Sequence, residues 1–271
     1  IDPRPATGSS LLTTNRTPPN DGFFTPAPYR GAFGPGDNWA AGWTTLSRVG
    51  YFPPKPVQPV SANITTSTLW TSDNDYLLTQ PIYVTSGATL TIQAGTVVRG
   101  ESESSPGAND PGTLIISRGS KIQALGTPDA PIVFTNQDDD NVGQSGGHVP
   151  CDSVQSALGI TGTWGGLILL GRGYVANNTT AGPNPAREIQ VEGLNAAGSL
   201  GFYGNCSAAV PAIPLGSCDD DDSGSLSYIS IRYGGFNHSP NNEINGLTLG
   251  GVGRNTDIDH IEVFQNKDDG I

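Results

Sequence analysis

Lysine is almost missing from this chain. Of 13 basic residues only Lys55, Lys121 and Lys267 are lysines, against 25 acidic residues. A formal charge of −12 leaves no basic stripe to displace the counterions of a nucleic acid, and an anionic membrane surface would repel it. No apolar run approaches about 18 residues, so no segment is a candidate transmembrane helix. His-Glu-x-x-His and phosphate-loop signatures are missing too. The three cysteines, Cys151, Cys206 and Cys218, lack the C-x-x-C or C-x-x-H spacing of a zinc site. A disulfide between Cys206 and Cys218 would close the small-residue loop they flank and contribute roughly 3 kcal/mol. Cys151 is then either buried and inert or paired outside the chain.

Glycine and proline, by contrast, are plentiful at 37 and 22 residues, while 35% apolar residues still supply an ordered core. One phrase recurs, in which alternating apolar residues run into a glycine. It appears as Leu90-Thr-Ile-Gln-Ala-Gly95, Leu114-Ile-Ile-Ser-Arg-Gly119, Ile122-Gln-Ala-Leu-Gly126, Leu167-Ile-Leu-Leu-Gly171 and Leu247-Thr-Leu-Gly-Gly251. An apolar period of two predicts short strands, and glycine supplies the corners between them. The strands group in threes: Ile82–Val84, Thr89–Ile92 and Thr96–Val98, then Leu114–Ile116, Lys121–Ala124 and Ile132–Phe134. A further trio is expected at Leu167–Leu170, Tyr174-Val175 and Glu188–Val191, and another at Leu226–Ile231, Leu247–Leu249 and Ile258–Phe264. Coils of roughly 20–25 residues fit a solenoid. A β-sandwich would want hairpin turns, and Asn-Gly or Asp-Gly pairs such as Asn245-Gly246 are sparse. The expected fold is therefore all-β: a parallel β-helix over residues 61–271, interrupted by long polar insertions.

Residues 1–60 read differently. Their many prolines, Pro59 among them, exclude sheet interiors and long helices. Yet Phe23, Phe24, Tyr29, Phe33, Trp39 and Trp43 are too aromatic for a solvated linker. An extended arm follows, with a helical turn over Asn38–Leu46, and these aromatics either clamp the adjoining solenoid or dock on a neighbouring module.

Ser223–Gly235, Asn242–Gly253, Ile258–Val263 and Lys267–Gly270, with Trp164–Gly171 and Ile189–Gly193, match one family in order. On these motifs the chain from about Ile64 onward resembles large secreted β-helix proteins of Bacteroidetes and related Gram-negative marine bacteria. The resemblance implies a right-handed parallel β-helix at the cell surface or in a matrix, with no settled enzymatic activity. Asp21–Phe24, Tyr29–Phe33 and Ala41–Trp43 resemble what trails such a module, and relatives continue through further coils. The chain is thus expected to be the tail of one module joined to the front of another.

Two runs of aspartate, Asp138, Asp139 and Asp140, and Asp219, Asp220, Asp221 and Asp222, are candidate calcium sites; Asp268-Asp269 is a lesser one. Hard cations need converging oxygens, and a solvated acidic turn is the plainer reading of the same residues. The leading expectation is a non-catalytic extracellular structural or adhesive protein, calcium-stabilised or not, with other copies, other modules or cell-surface glycans as partners. The alternative is a carbohydrate-active β-helix enzyme, polysaccharide lyase or glycosidase, or a glycan-binding module. For a lyase, Arg232, Arg254 and Lys267 are the basic candidates near the acidic coils, with Arg232 expected beside Asp219–Asp222.

Overall fold

In Leu167-Ile-Leu-Leu170 alternate side chains point to opposite faces of an extended strand. Leu167 and Leu169 join one buried apolar cluster, while Ile168 and Leu170 join a second. Such two-sided burial is characteristic of strands in parallel sheets. The computed structural model describes all residues except 1, 14–18, 20, 24–26, 36–37, 39, 41–43, 45–54, 106, 109, 140–160, 176–187, 205–219 and 240–241. Contacts divide the chain into two compact units. The described part of one lies within Ile1–Pro56, and that of the other within Val57–Asp139 and Cys151–Ile271.

The smaller unit has one short 3-10 turn, Ser10–Leu12, capped by Ser9, whose side chain accepts from the Leu11 N–H at 3.2 Å. Phe23 faces solvent, and Tyr29 and Phe33 are half-buried. Phe24, Trp39, Trp43 and most of the expected helical turn lie outside the described residues.

The larger unit is a parallel β-helix with three faces. The first is built from β2 (Thr68–Trp70), β5 (Thr89–Ile92) and β8 (Lys121–Leu125). The second is built from β1 (Val57–Val60), β3 (Asp75–Leu78), β6 (Val97–Gly100) and β9 (Ile132–Asn136). The third is built from β4 (Pro81–Val84), β7 (Thr113–Ile116), β10 (Leu167–Leu170) and β16 (Leu247–Gly250). β13 (Gly224–Arg232) turns the corner within one strand: Gly224–Ser227 pairs with β8 and Ile229–Ile231 with β9. β17 (Asp257–Phe264) follows it on both sides of that corner.

In-register pairing stacks like on like. Trp70, Ile92, Ala124, Leu226 and Ile258 form one inward ladder. Tyr76, Val98, Phe134, Ile231 and Val263 form a second. Ile82, Leu114, Leu167 and Leu247 form the third. All belong to one apolar core or pack against it. Burying each large side chain contributes on the order of 1.5–3 kcal/mol. At the corner entering β10, Gly166 has φ +87, and a Cβ there would lie 2.6 Å from the Asn245 carbonyl of the next coil. Only glycine satisfies both constraints.

The outward row of the third face, Tyr83, Ile115, Ile168 and Leu170, is also dry. It is covered by a hairpin of β11 (Glu188–Gln190) and β12 (Phe202–Gly204), which pair antiparallel, with Val191, Leu194, Leu200 and Tyr203 packing on it. The Tyr203 ring lies against Gly250, where a Cβ would come within 2.7 Å of it. Arg118 reaches Glu188 at 2.5 Å and Ser117 donates to the Leu200 carbonyl at 3.2 Å, tying the hairpin to the coil. Burial pushes the Tyr83 phenol up to about 12. Tyr203 is raised as well, by burial and then by the charge of Glu192.

Three expectations change here. Tyr174-Val175 forms no strand, and Glu188–Gln190 pairs antiparallel with Phe202–Gly204 instead of adding to a coil. A two-residue period identifies a strand but not its partner. The coil length also drifts: Thr68 pairs with Leu90, 22 residues on, but Leu90 pairs with Ile122, 32 on, and Ile122 with Gly224, 102 on. Finally, the sheet begins at Val57, within the proline-rich stretch assigned to the arm. Pro59 fits because β1 is an edge strand. Val60 accepts from the Thr79 N–H of the neighbouring coil, which turns Pro59 and its missing N–H to the free side.

Leu167→Ala removes a fully buried inward rung and is expected to cost roughly 2–5 kcal/mol, read from the denaturant midpoint. Gly250→Ala drives a methyl into Tyr203. It is expected to speed hydrogen exchange across Glu188–Gly204 while leaving β7 and β10 protected. In a phenolate titration at 295 nm, Tyr83 should ionise only near pH 12, and the hairpin should lose stability as the pH rises from about 10 to that value.

Candidate functional site

Asp220–Asp222 lead into β13, at the corner where the chain re-enters the coil after residues 171–219. Four adjacent carboxylates repel one another unless counter-charged, and the coil supplies the counter-charge. Asp220 pairs with Arg254, and its carbonyl accepts from Asn255 at 2.8 Å. Asp221 accepts from the Ser223 hydroxyl at 3.2 Å. Asp222 accepts from Lys121 Nζ at 2.5 Å and from the Gly224 N–H at 2.8 Å. The Lys121 ammonium, then the Gly224 N–H, hold the Asp222 carboxyl below the usual carboxylate range. Asp219 lies outside the described residues.

Asp138 and Asp139 follow β9 and part company. Asp138 is exposed, with its N–H on Asn136 Oδ1 at 2.9 Å. Asp139 is fully buried and accepts from Thr135 Oγ1 at 2.7 Å. Its carbonyl, together with those of Asn136 and Gln137, receives Arg99 Nη1 at 3.1–3.5 Å. Arg99 is itself buried and pairs with the buried Asp75 at 3.5 Å. A guanidinium thus gathers the carbonyls of the chain as it leaves β9. Asp140, Cys151, Cys206 and Cys218 lie outside the described residues. Among the described residues no three His, Cys, Asp or Glu side chains are grouped as metal ligands.

Arg232 is not beside the acidic run. It ends β13, whereas Asp220–Asp222 precede that strand, and seven in-register pairs with β17 separate the two ends. Its Nε donates to Ser230 Oγ at 2.9 Å, and its carbonyl accepts from Trp164 Nε1 at 2.6 Å. Strand alternation had put Arg232 outward, which holds, but nine residues of extended chain lie between it and the acid corner. Arg254, another of the three basic candidates, takes that place. Lys267 lies at the corner of the last coil, its N–H on the Gly234 carbonyl at 3.1 Å. Asp268 and Asp269 are exposed.

Sequence reasoning passed over one exposed constellation. Tyr228 and His260, opposite each other at the β13 and β17 corner, stack with ring centroids 4.1 Å apart and 19° between planes. Asp259 accepts from Ser227 and contacts His260 Nδ1 at 2.8 Å, and Ser230 donates to Glu262 at 2.6 Å. The Ser227 hydroxyl, then His260, hold the Asp259 carboxyl below its usual range. A spacing of 32 residues between rungs was the available signal, since Ser227/Asp259, Tyr228/His260 and Ser230/Glu262 all share it.

A three-faced stack of parallel coils carrying its polar groups on corners and outward rows is the architecture of parallel β-helix proteins. Two stretches, 62–159 and 153–271, match the model of the pectate-lyase-like β-helix domain, and the chain belongs to that family. Among curated proteins and among solved structures, nothing matches significantly.

Asp75→Ala strands the buried Arg99 guanidinium and is expected to cost roughly 3–5 kcal/mol in chemical denaturation. Asp222→Asn breaks a half-exposed pair and should cost no more than about 1 kcal/mol. Because the folded Asp222 carboxyl is the more acidic, its contribution is present at neutral pH. It is lost as the pH falls below about 4, through the lowered folded value, so the wild-type and Asp222→Asn unfolding midpoints should converge in acid.

Proposed function

We propose that this chain is a non-catalytic structural or adhesive module of a secreted bacterial surface or matrix protein. The observation that supports this reading is how the polar side chains of the coils are used. Asp220, Asp221 and Asp222 are engaged by Arg254 of the coil after, by Ser223 beside them and by Lys121 of the coil before. Of the basic candidates for a lyase, Arg254 lies beside them but is paired with Asp220, and Arg232 is tied to Ser230. These groups hold coil to coil, which is the work of a scaffold. Calcium is not required to balance Asp220 and Asp222, since Arg254 and Lys121 supply the charge. The flat outward rows and the stacked rungs suit a rigid display surface, with other modules or cell-surface glycans as partners.

The family's name points to a second use, cleavage of polysaccharides. Incubation with neutral and acidic polysaccharides, followed by assays for unsaturated products and new reducing ends, separates the two. The expected outcome is no release above a heat-denatured control. Release that disappears in Arg232→Ala would establish the enzyme reading.

A further inference from the structure

We propose that the coil from Val57 to Trp70 is a built cap, which closes this end of the solenoid so that neither a second copy of the chain nor a neighbouring module stacks a coil upon it. The inference is independent of the scaffold reading above and restricts how such a scaffold assembles. It starts from the hydrogen bonds that join one coil to the next. Thr79, Glu101 and Gln137 follow successive strands of the second face. Their N–H groups donate to the carbonyls of Val60, Leu78 and Gly100, one rung before, at 2.9–3.1 Å. On the first face the Gln93 N–H likewise reaches the Trp70 carbonyl at 3.0 Å. Through donors of this kind each coil takes hold of the one before it.

The first coil does not offer them. Thr71 holds the rung of Gln93 one coil earlier, but its N–H turns to Tyr76 Oη at 2.8 Å. Pro59 holds the rung of Leu77, Arg99 and Thr135, and it has no N–H to give. On the third face this coil contributes one isolated bridge, at Ile64. There Asn63 Oδ1 accepts the Tyr83 N–H at 3.1 Å, where a strand would offer a backbone carbonyl. All three faces are therefore blunted in the same turn of chain.

The inward rows are sealed there as well. Gln58 stands above Tyr76, Val98 and Phe134, an exposed amide bonded to Asn74 Oδ1 at 3.2 Å where every later coil places an apolar side chain. Trp70 lies flat against Tyr76, with ring centroids 4.6 Å apart and 13° between planes, and both are buried. A coil meant to be stacked upon would keep an apolar rung and a row of donors in line, which is what an added strand needs. Residues 1–56 precede this edge in the chain. Among the described residues β1 and β2 are the outer strands of their sheet, and β1 is exposed from Val57 to Pro59.

The test is hydrogen exchange of the intact chain over a roughly hundredfold range of protein concentration. It is read at the Val57 and Leu69 N–H groups, which strand alternation points off the sheet edge. In the wild type both should exchange at rates independent of concentration. Gln58→Val/Pro59→Val supplies the missing donor and an apolar first rung. Protection of both groups should then rise roughly tenfold with concentration, with a dimer in sedimentation velocity. Tyr76→Phe, which releases the Thr71 N–H, should act in the same direction more weakly. Protection of β7 and β10 reports folding, and if the double variant does not fold, Pro59→Thr is read in its place. Concentration-dependent protection of Val57 and Leu69 in the wild type overturns the cap, and so does a folded donor-restored variant that behaves as the wild type. Association of the wild type that leaves these two groups unprotected uses another surface and supports it. Release of polysaccharide fragments would overturn the scaffold reading and leave the cap standing.

Discussion

Everything in the larger unit depends on register between coils. A single turn of this chain, with its few short strands, cannot bury its inward side chains alone. Each row becomes dry only because the turn before and the turn after place an apolar residue at the same position. Ile82, Leu114, Leu167 and Leu247 show how strict this is, because their coils are separated by 32, 53 and 80 residues of chain and still meet in line. Insertions of any length are tolerated provided the chain returns to the same rung. Loop closure costs grow only slowly with length, so long excursions between β9 and β10 and between β10 and β13 are affordable.

Register also organises the polar groups. In a stacked coil, a residue on one rung lies beside its counterpart on the next, so like charges placed in line would repel. The chain answers this with serine beneath acid at Ser227/Asp259 and Ser230/Glu262, and with lysine or arginine against aspartate at the re-entry corner. The same rule brings Tyr228 under His260. An excess of negative charge is thereby carried on the outside without splitting the stack.

The third face departs from a plain solenoid. Its outward row is as apolar as its inward row, and a sheet face of that kind needs a cover. The excursion between β10 and β13 provides it, folding back as an antiparallel hairpin whose Tyr203 is seated on Gly250. The glycine pair in Leu247-Thr-Leu-Gly-Gly251, which reads as a coil corner, is at Gly250 a seat for an aromatic ring.

The strands, their inward rows and the parallel stacking were legible in the amino-acid order, because a period of two is a property of consecutive residues and needs no partner to be seen. The same holds for the acidic corners and for the proline-rich change of character before the solenoid. What the order of residues could not show is which distant rung each strand joins. That choice made Glu188–Gln190 a hairpin instead of a coil, separated Arg232 from the acid run, gave Lys121 and Arg254 to aspartates 101 and 34 residues away, and set His260 on Tyr228. Side chains are paired by the return of the chain in space, and the length of the detour between two rungs is free. Local pattern therefore determined that the chain would coil, and only the tertiary stack decided which groups meet.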